Sequence, residues 1–230
     1  MEIDVMVMGA HPDDIEIGMG GTILALNAAG YNVILVDLSD GEPTPAGTHD
    51  IRMKEAAKAA QMMHVEKRVT LDMVNREIMD TVENRKKLAT VMREYKPKII
   101  FAPYWEDGHP DHIQASRLAQ ASRFYAKFVK TEMPFTPHYP GKLFYFFSSH
   151  LRIKMQPSFV FDISDYIDKK IEVLASYESQ FVSNQRNLAV ADHVRQENGY
   201  WGRQIGRKYG EPFVCQENIA LSSARSLFDA

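Results

Sequence analysis

Apolar and polar positions in the first half of the chain follow two periods. Short, nearly continuous apolar runs predict buried strands, and the longer segments between them place apolar residues at helical spacing. The predicted strands are 3–8, 32–38, 69–73 and 99–102, and the predicted helices are 22–29, 50–63, 81–95 and one that ends near residue 130. In the second of these helices, for example, Met53, Ala56, Ala60 and Met63 fall on one face.

This order of elements predicts an α/β fold. A strand–helix–strand unit is parallel and right-handed, so the pattern favours a Rossmann-like, mostly parallel sheet flanked by helices on both faces. Further along, 143–149 and 159–163 are predicted strands, and 165–179 and 190–209 are predicted helices. Because there is no internal repeat and no shift in composition, we expect residues 1–230 to form a single domain.

Composition excludes several kinds of partner. A net charge of −3 offers no positive surface for nucleic acid, and no apolar run is long enough to span a membrane. The one cysteine, Cys215, rules out an internal disulfide and favours a reducing compartment. The chain begins at a strand, without a signal-peptide pattern. We therefore expect a cytoplasmic protein that binds neither nucleic acid nor a membrane.

The first cluster of chemistry-bearing residues follows the first predicted strand. His11, Asp13 and Asp14 lie in a turn that continues into a glycine-rich stretch. Open α/β sheets bind their ligands beyond the carboxyl ends of the strands. His11 and Asp14 are three residues apart, so a turn can aim both at one point, and this donor set suits zinc or a similar divalent ion. Asp13 remains available for another role.

The second cluster follows the strand predicted at 99–102. Pro110 is well placed at the first position of a helix, which puts His109 and His112 on one side, one turn apart. One of them can reach a metal while the other faces a substrate. Two such clusters, each after a predicted strand, indicate an open catalytic metal site more strongly than either cluster alone.

Structural explanations compete with these functional ones. Asp111 in a first helical turn is favourable to the helix dipole whether or not it takes part in chemistry. The remaining histidines are expected to be structural or on the surface: His49, His64, His138, His150 and His193. The Lys67–Arg68 pair is expected to be solvated. Against a purely structural role for Asp13 and Asp14, the first 51 residues contain no Lys or Arg, so a bound metal is the natural counter-charge.

Dinucleotide binding is the alternative that the fold class suggests. Asp37, at the end of the second strand, is placed like the acid that binds a ribose in dinucleotide-binding folds. Residues 9–21, however, contain no G-x-G-x-x-G pattern, and their two aspartates would face a negatively charged pyrophosphate. The sequence therefore argues against a nicotinamide cofactor.

The two clusters, His11-Pro12-Asp13-Asp14 and His109-Pro110-Asp111-His112, resemble the hallmarks of the LmbE-like/PIG-L family of zinc-dependent N-deacetylases. Matching segments continue nearly to the end of the chain, at 175–181, 200–202 and 211–213. Within this family, the sequence most resembles the subgroup of bacillithiol-pathway deacetylases. The resemblance implies removal of the acetyl group from an N-acetylglucosamine conjugate, such as N-acetylglucosaminyl malate, by attack of a zinc-bound water.

The resemblance also implies a role for each matching residue. One zinc ion would be bound by His11, Asp14 and His112. Asp13 would act as general base, and protonated His109 would face the developing oxyanion. Three further residues have supporting roles: Asp111 would orient His109 and favour its charged form, while Arg52 and Arg76 are candidates for contacts with the small-molecule substrate. Family resemblance further suggests a homo-oligomer, either a trimer or a hexamer.

Two departures from the subgroup leave the substrate open. Gly108 stands where relatives often carry an arginine, and Val74-Asn75 stands where they often have Pro-Asp. An anionic aglycone would lose a cationic partner at position 108. Another N-acetyl sugar, such as a chitin oligosaccharide or an antibiotic-linked sugar, is therefore an alternative substrate. A non-catalytic sugar- or nucleotide-binding module is the alternative of a different class.

Overall fold

Seven strands of this chain form one sheet. The computed structural model describes residues 2–148, 150 and 155–220. The strands are β1 (Val5–Gly9), β2 (Val33–Asp37), β3 (Lys67–Thr70), β4 (Ile99–Pro103), β5 (Lys142–Phe146), β6 (Phe159–Asp162) and β7 (Gly210–Val214). The helices are α1 (Asp14–Ala28), α2 (His49–Met62), α3 (Val82–Tyr95), α4 (Pro110–Ala126), α5 (Ile167–Ala175) and α6 (Val190–Gln204), and a π-helical turn spans Glu178–Val182.

The sheet is mostly parallel, as the sequence predicts. The strand order is β3-β2-β1-β4-β5-β7-β6. The first five strands in this order pair in parallel, whereas β7 runs antiparallel to both β5 and β6. The chain leaves β1 towards β2 on one side and later returns to β4 on the other. The carboxyl ends of β1 and β4 therefore flank the point where the strand order reverses, which is where such sheets bind ligands.

Helices cover both faces of the sheet. The side chains of β1 alternate between two apolar clusters: Val5 and Val7 pack on one face, and Met6 and Met8 on the other. The first face packs against α1, α2 and α5, and the second against α3 and α4. This alternation follows from the two-residue period of a strand, and it confirms the predicted layers.

Within the part of the chain that the structure describes, no helix combines the length and apolar character that crossing a bilayer needs.

The glycines after the first motif lie inside a helix. The sequence predicts a turn at Gly18, Gly20 and Gly21 and a helix from residue 22, whereas α1 begins at Asp14 and bends at Met19 (φ −149°, ψ 24°). A Cβ at Gly18 would lie 2.2 Å from the Phe146 ring, and one at Gly21 would lie 2.8 Å from Ile163. These glycines therefore allow close packing of α1 on the sheet.

Several other boundaries differ from the prediction. The predicted helix 165–179 is divided into α5 and the π-helical turn, α4 ends at Ala126, and β3 begins two residues early and ends at Thr70. No strand was predicted at β7, which fills the position between β5 and β6. Residue 149, the last of the predicted strand 143–149, lies outside the described residues.

Candidate metal centre and its surroundings

The turn after β1 brings three predicted site residues to the sheet edge. The His11 backbone N–H donates to Asp14 Oδ2 at 2.9 Å, which closes the turn. Asp13 has a φ of 108°, a conformation that non-glycine residues rarely adopt, and α1 begins at the next residue. Backbone strain of this kind persists where the surrounding structure fixes it, often at functional sites. The turn thus presents His11, Asp13 and Asp14 together at the end of β1.

The second motif opens α4 next to this turn. His109 caps the helix: its Nδ1 accepts a hydrogen bond from the Asp111 backbone N–H at 3.2 Å. Pro110 is the first residue of α4, as predicted. The rings of His109 and His112 stack with centroids 4.8 Å apart. Both histidines therefore face the same side, towards the turn that follows β1.

Three residues from the two motifs converge on one point. Asp14 Oδ2 lies 3.3 Å from His11 Nδ1, and Asp14 Oδ1 lies 3.1 Å from His112 Nε2. One ligand atom from each of the three lies within 4.8 Å of the others, and the exposed fractions of His11, Asp14 and His112 are only 7%, 3% and 1%. Two imidazoles and a carboxylate at this spacing form a candidate metal site, with the donor types that suit zinc.

The charges at this point are those of a cation site. Burial disfavours charge on both imidazoles, yet the neighbouring carboxylates together outweigh it: Asp14 and Asp111 raise the pKa of His11 to about 9, and Asp14 and Asp107 raise that of His112 to about 10. Burial likewise disfavours the ionised carboxyl of Asp14, but the positive charges on His112 and His11 hold its pKa well below the usual value. A metal ion would take over the positive charge that the two imidazolium groups carry without it.

Asp13 has the surroundings of a general base. Burial raises its pKa to about 7, and the positive charge of Arg52 works against that rise. Arg52 Nη2 lies 2.9 Å from Asp13 Oδ2 and also donates to the carbonyl oxygen of Pro12. A pKa near neutrality suits a group that must both accept and release a proton.

The charge state expected for His109 is not supported. The resemblance implies an imidazolium favoured by Asp111, whereas burial and the positive charges of His112 and His11 lower the pKa of His109 to about 4. The imidazole is therefore neutral at neutral pH. Because its Nδ1 accepts a hydrogen bond from the Asp111 backbone, the ring proton lies on Nε2.

Asp111 contacts a different histidine from the one expected. Its Oδ2 lies 3.0 Å from His11 Nε2 and accepts a hydrogen bond from the Arg76 backbone N–H at 2.6 Å. The contact with His109 is made by the backbone of Asp111, so the carboxylate is left to orient His11. Asp107, whose role the sequence left unassigned, lies 3.2 Å from the Nδ1 of His112. Each of the two buried histidines thus has a supporting carboxylate, as metal-binding histidines usually do.

The two arginines named as substrate contacts differ in environment. Arg52 is buried, and its guanidinium is engaged by Asp13. Arg76 is exposed, with a positive φ of 69°, and lies at the rim of the cleft. Of these two, Arg76 is the exposed residue, and Arg52 contacts the predicted base.

A cleft of about 340 Å³ lies over these residues. Its floor contains both His/Asp motifs, and its walls come from the loop at 41–45, from 75–76 and from 180–190. Asn75 holds the first wall in place by donating to the carbonyl oxygens of Gly41 and Pro43. The cleft also contains His150, which the sequence analysis expected to be structural or on the surface.

A buried ion network supports the floor of the cleft. Arg68, expected to be solvated, is buried between Asp37 and Glu16: its Nη2 lies 2.8 Å from Asp37 Oδ1, and its Nη1 lies 2.5 Å from Glu16 Oε1. The Tyr177 hydroxyl donates to the same Glu16 oxygen at 2.9 Å. The carboxylate of Asp37 is thus paired with Arg68, which agrees with the argument against a nucleotide ribose at this position.

Fold and site together define a class: a Rossmann-like α/β protein with a buried His/Asp candidate metal site at the switch point of its sheet. The PIG-L family (GlcNAc-PI de-N-acetylase) matches residues 6–122. The diacetylchitobiose deacetylase of Thermococcus kodakarensis is 30% identical over 222 residues, which cover 90% of this chain and 80% of that protein.

Solved structures agree with this match. The crystal structure of a conserved protein from Thermus thermophilus superposes with a TM-score of 0.89 at 33% identity, covering 96% of this chain and 98% of that one. The N,N'-diacetylchitobiose deacetylase from Pyrococcus horikoshii, solved with its inhibitor, gives a TM-score of 0.81 at 28% identity, covering 91% and 82%. The chain belongs to the PIG-L family, and it is an enzyme of the N-deacetylase class. These relatives do not single out the bacillithiol subgroup.

Proposed function

We propose that this N-deacetylase hydrolyses the acetamide of an N-acetylglucosamine unit in a small sugar conjugate, releasing acetate and a free amine. The observation that carries the proposal is the convergence of buried His11, Asp14 and His112 beside Asp13 at the switch point of the sheet. Family membership supports the reaction type, and the diacetylchitobiose deacetylase relative supports a sugar substrate.

The donor set fits one divalent metal ion, for which we propose zinc. His11, Asp14 and His112 supply two imidazole nitrogens and a carboxylate oxygen, the kind of three-residue set that catalytic zinc sites use. Burial leaves the Asp14 carboxylate dependent on positive charge at this point. When bound, such an ion activates water and polarises the acyl oxygen of a substrate.

The chain's own residues then account for the movement of protons. Asp13 takes a proton from the attacking water as the water oxygen bonds to the acyl carbon. Its pKa near 7 allows it to pass that proton to the amine nitrogen as the carbon–nitrogen bond breaks. Arg52 keeps the carboxylate of Asp13 in place.

His109 is the group that we assign to the acyl oxygen. With its proton on Nε2, neutral His109 donates a hydrogen bond to the oxygen as negative charge develops there. A donor in this position typically lowers a barrier by about 3–4 kcal/mol. Because the Asp111 backbone fixes the tautomer, the donor is oriented before the substrate binds.

The identity of the aglycone is the finer part of the proposal. We favour a second sugar, as in diacetylchitobiose, because the cleft walls carry the neutral amide side chains of Asn184 and Asn187. One observation favours an anionic aglycone such as malate: the exposed, cationic residue Arg76 lines the cleft.

A metal analysis beside an acetate-release assay tests the proposal. The substrates are diacetylchitobiose, N-acetylglucosamine and N-acetylglucosaminyl malate, and the matched variant is Asp13→Asn, which keeps the shape of the side chain. We expect about one metal ion per chain in both proteins and acetate release by the wild-type protein alone. Tight binding of a sugar without turnover by the metal-loaded wild-type protein would instead indicate a non-catalytic binding module.

Assembly and location remain proposals that rest on the sequence. We propose a homo-oligomer, a trimer or a hexamer, from the family resemblance, and a cytoplasmic location from the single cysteine. Light scattering coupled to size-exclusion chromatography measures the assembly directly, and a monomer at micromolar concentration would contradict it.

A further inference from the structure

His150 joins the histidines of the cleft from a separate part of the chain. It follows β5, and its ring centroid lies 5.6 Å from that of His109 and 5.7 Å from that of His112. For comparison, the rings of His11 and His112 are 5.6 Å apart. His150 lines the same cleft as these three residues. Its position is therefore that of a site residue.

The histidines become more exposed towards the mouth of the cleft. His112 is 1% exposed, His109 is half-buried and His150 is exposed. Among the residues that the structure describes, the groups able to hold a metal include His11, His109 and His112, and His150 belongs to none of them. An acetamide that reaches Asp13 must leave the rest of its molecule on the outer side, where His150 lies.

Gly108 makes room for His150. A Cβ built on Gly108 would lie 3.1 Å from the carbonyl oxygen of His150 and 3.7 Å from its Cβ. The first distance is shorter than ordinary van der Waals contact, so a side chain at position 108 would displace the backbone of residue 150. The absence of a side chain at 108 therefore lets the backbone of residue 150 lie close to the second motif, the position from which its imidazole lines the cleft.

We propose that His150 is a substrate-contacting residue that hydrogen-bonds the second sugar of a chitobiose-like substrate, and that Gly108 permits this contact; the inference rests on the function proposed above. A neutral imidazole offers one donor and one acceptor, which matches neighbouring sugar hydroxyls. Asn184 and Asn187 in the same cleft offer neutral amides of the same character. Arg52 does not offer a competing contact to the second sugar, because its guanidinium is already engaged by Asp13.

The test compares His150→Ala with His193→Ala, in which the replaced histidine is exposed on α6 and outside the cleft. Loss of one or two hydrogen bonds should raise KM for diacetylchitobiose about tenfold in His150→Ala. The KM for N-acetylglucosamine, which has no second sugar, should rise by less. Metal content should equal that of the wild-type protein. Equal effects on both sugars, or no effect on either, would overturn the inference.

Gly108→Ala provides an independent check. If its side chain acts by displacing His150, its effect on the KM for diacetylchitobiose should vanish in the Gly108→Ala/His150→Ala double variant, whose KM should equal that of His150→Ala. Additive effects would show that position 108 acts without His150 and would contradict the proposal.

A binding measurement separates this inference from the proposed function. Calorimetry measures the affinity for diacetylchitobiose of the Asp13→Asn variant, with and without His150→Ala. Because Asp13→Asn prevents turnover, the difference in affinity is the contribution of His150 to binding. Weaker binding in the double variant supports the role of His150, whether or not the wild-type protein releases acetate. Absence of acetate release from the wild-type protein would overturn only the proposed function. Equal binding by both proteins, or none by either, overturns the role of His150.

Discussion

The guanidinium of Arg52 lies 2.9 Å from the carboxylate of Asp13, and both groups are shielded from solvent. Arg52 thereby counters the rise in the pKa of Asp13 that burial causes. In Arg52→Met the pKa of Asp13 should rise by about 1–3. A base acts only when ionised, so the acidic limb of the pH–rate profile should move to higher pH and the rate at pH 7 should fall by about 5- to 500-fold.

Arg76→Met is the matched control, because Arg76 lies in the same cleft but is not paired with Asp13. Its pH–rate profile should keep the wild-type acidic limb. An Arg52→Met enzyme with an unshifted profile and a raised KM would assign Arg52 to the substrate, as the sequence analysis first suggested.

A second prediction concerns Asp111, whose carboxylate supports His11 at 3.0 Å. Loss of a carboxylate that orients a metal-binding histidine commonly weakens metal binding by about 10- to 100-fold. Asp111→Asn should therefore lose metal to a competing chelator at correspondingly lower chelator concentration. Asp165→Asn, a substitution remote from the cleft, serves as control. Unchanged metal affinity with a lower kcat would return Asp111 to the role of orienting His109.

A third prediction follows from the protons that the two metal-site histidines carry without a metal. The pKa of His11 is then about 9 and that of His112 about 10, so both are protonated at pH 7. Metal binding requires neutral imidazole and must release both protons. Apparent metal affinity should then rise by about a hundredfold per pH unit below pH 9. Calorimetry in two buffers of different ionisation enthalpy counts the protons; a count near zero at pH 7 would contradict the assignment.

The convergence of the candidate metal ligands could be predicted from the sequence because each motif is local. His11 and Asp14 share one turn, as do His109 and His112, and each turn follows an apolar run that identifies its strand. The rule that parallel strands present their carboxyl ends at one edge then brings the two motifs together. Neither step needs a contact between residues that are distant in sequence.

The errors arise where a distant partner decides the outcome. Lys67 and Arg68 look alike in sequence, yet successive strand residues face opposite sides, and Arg68 meets Glu16, 52 positions away. The glycines of α1 suggest a turn, but their lack of side chains instead allows Phe146 and Ile163 to pack closely against the helix. Asp111 likewise contacts His11, which a different strand brings near. Local pattern alone contains none of these contacts.

The last prediction concerns the buried ion pair that holds α1 at its bend. Past Met19, the backbone N–H groups of Gly21 and Thr22 donate to the Glu211 carboxylate at 2.9 and 2.7 Å, and Lys170 Nζ lies 2.6 Å from the same carboxylate. Both charged side chains are fully buried. Lys170→Met leaves Glu211 as an uncompensated buried charge, so the free energy of unfolding should fall by about 3–5 kcal/mol.

Adding Glu211→Gln to Lys170→Met tests the cause of that loss. The amide oxygen of glutamine still accepts a hydrogen bond from the α1 backbone, and it has no charge to bury. The double variant should therefore be more stable than Lys170→Met alone, and urea denaturation with a matched m-value measures the difference. If the double variant is less stable by the sum of the two single losses, the two residues act independently. The bend in α1 would then owe its stability to apolar packing against Ile163 and Phe146.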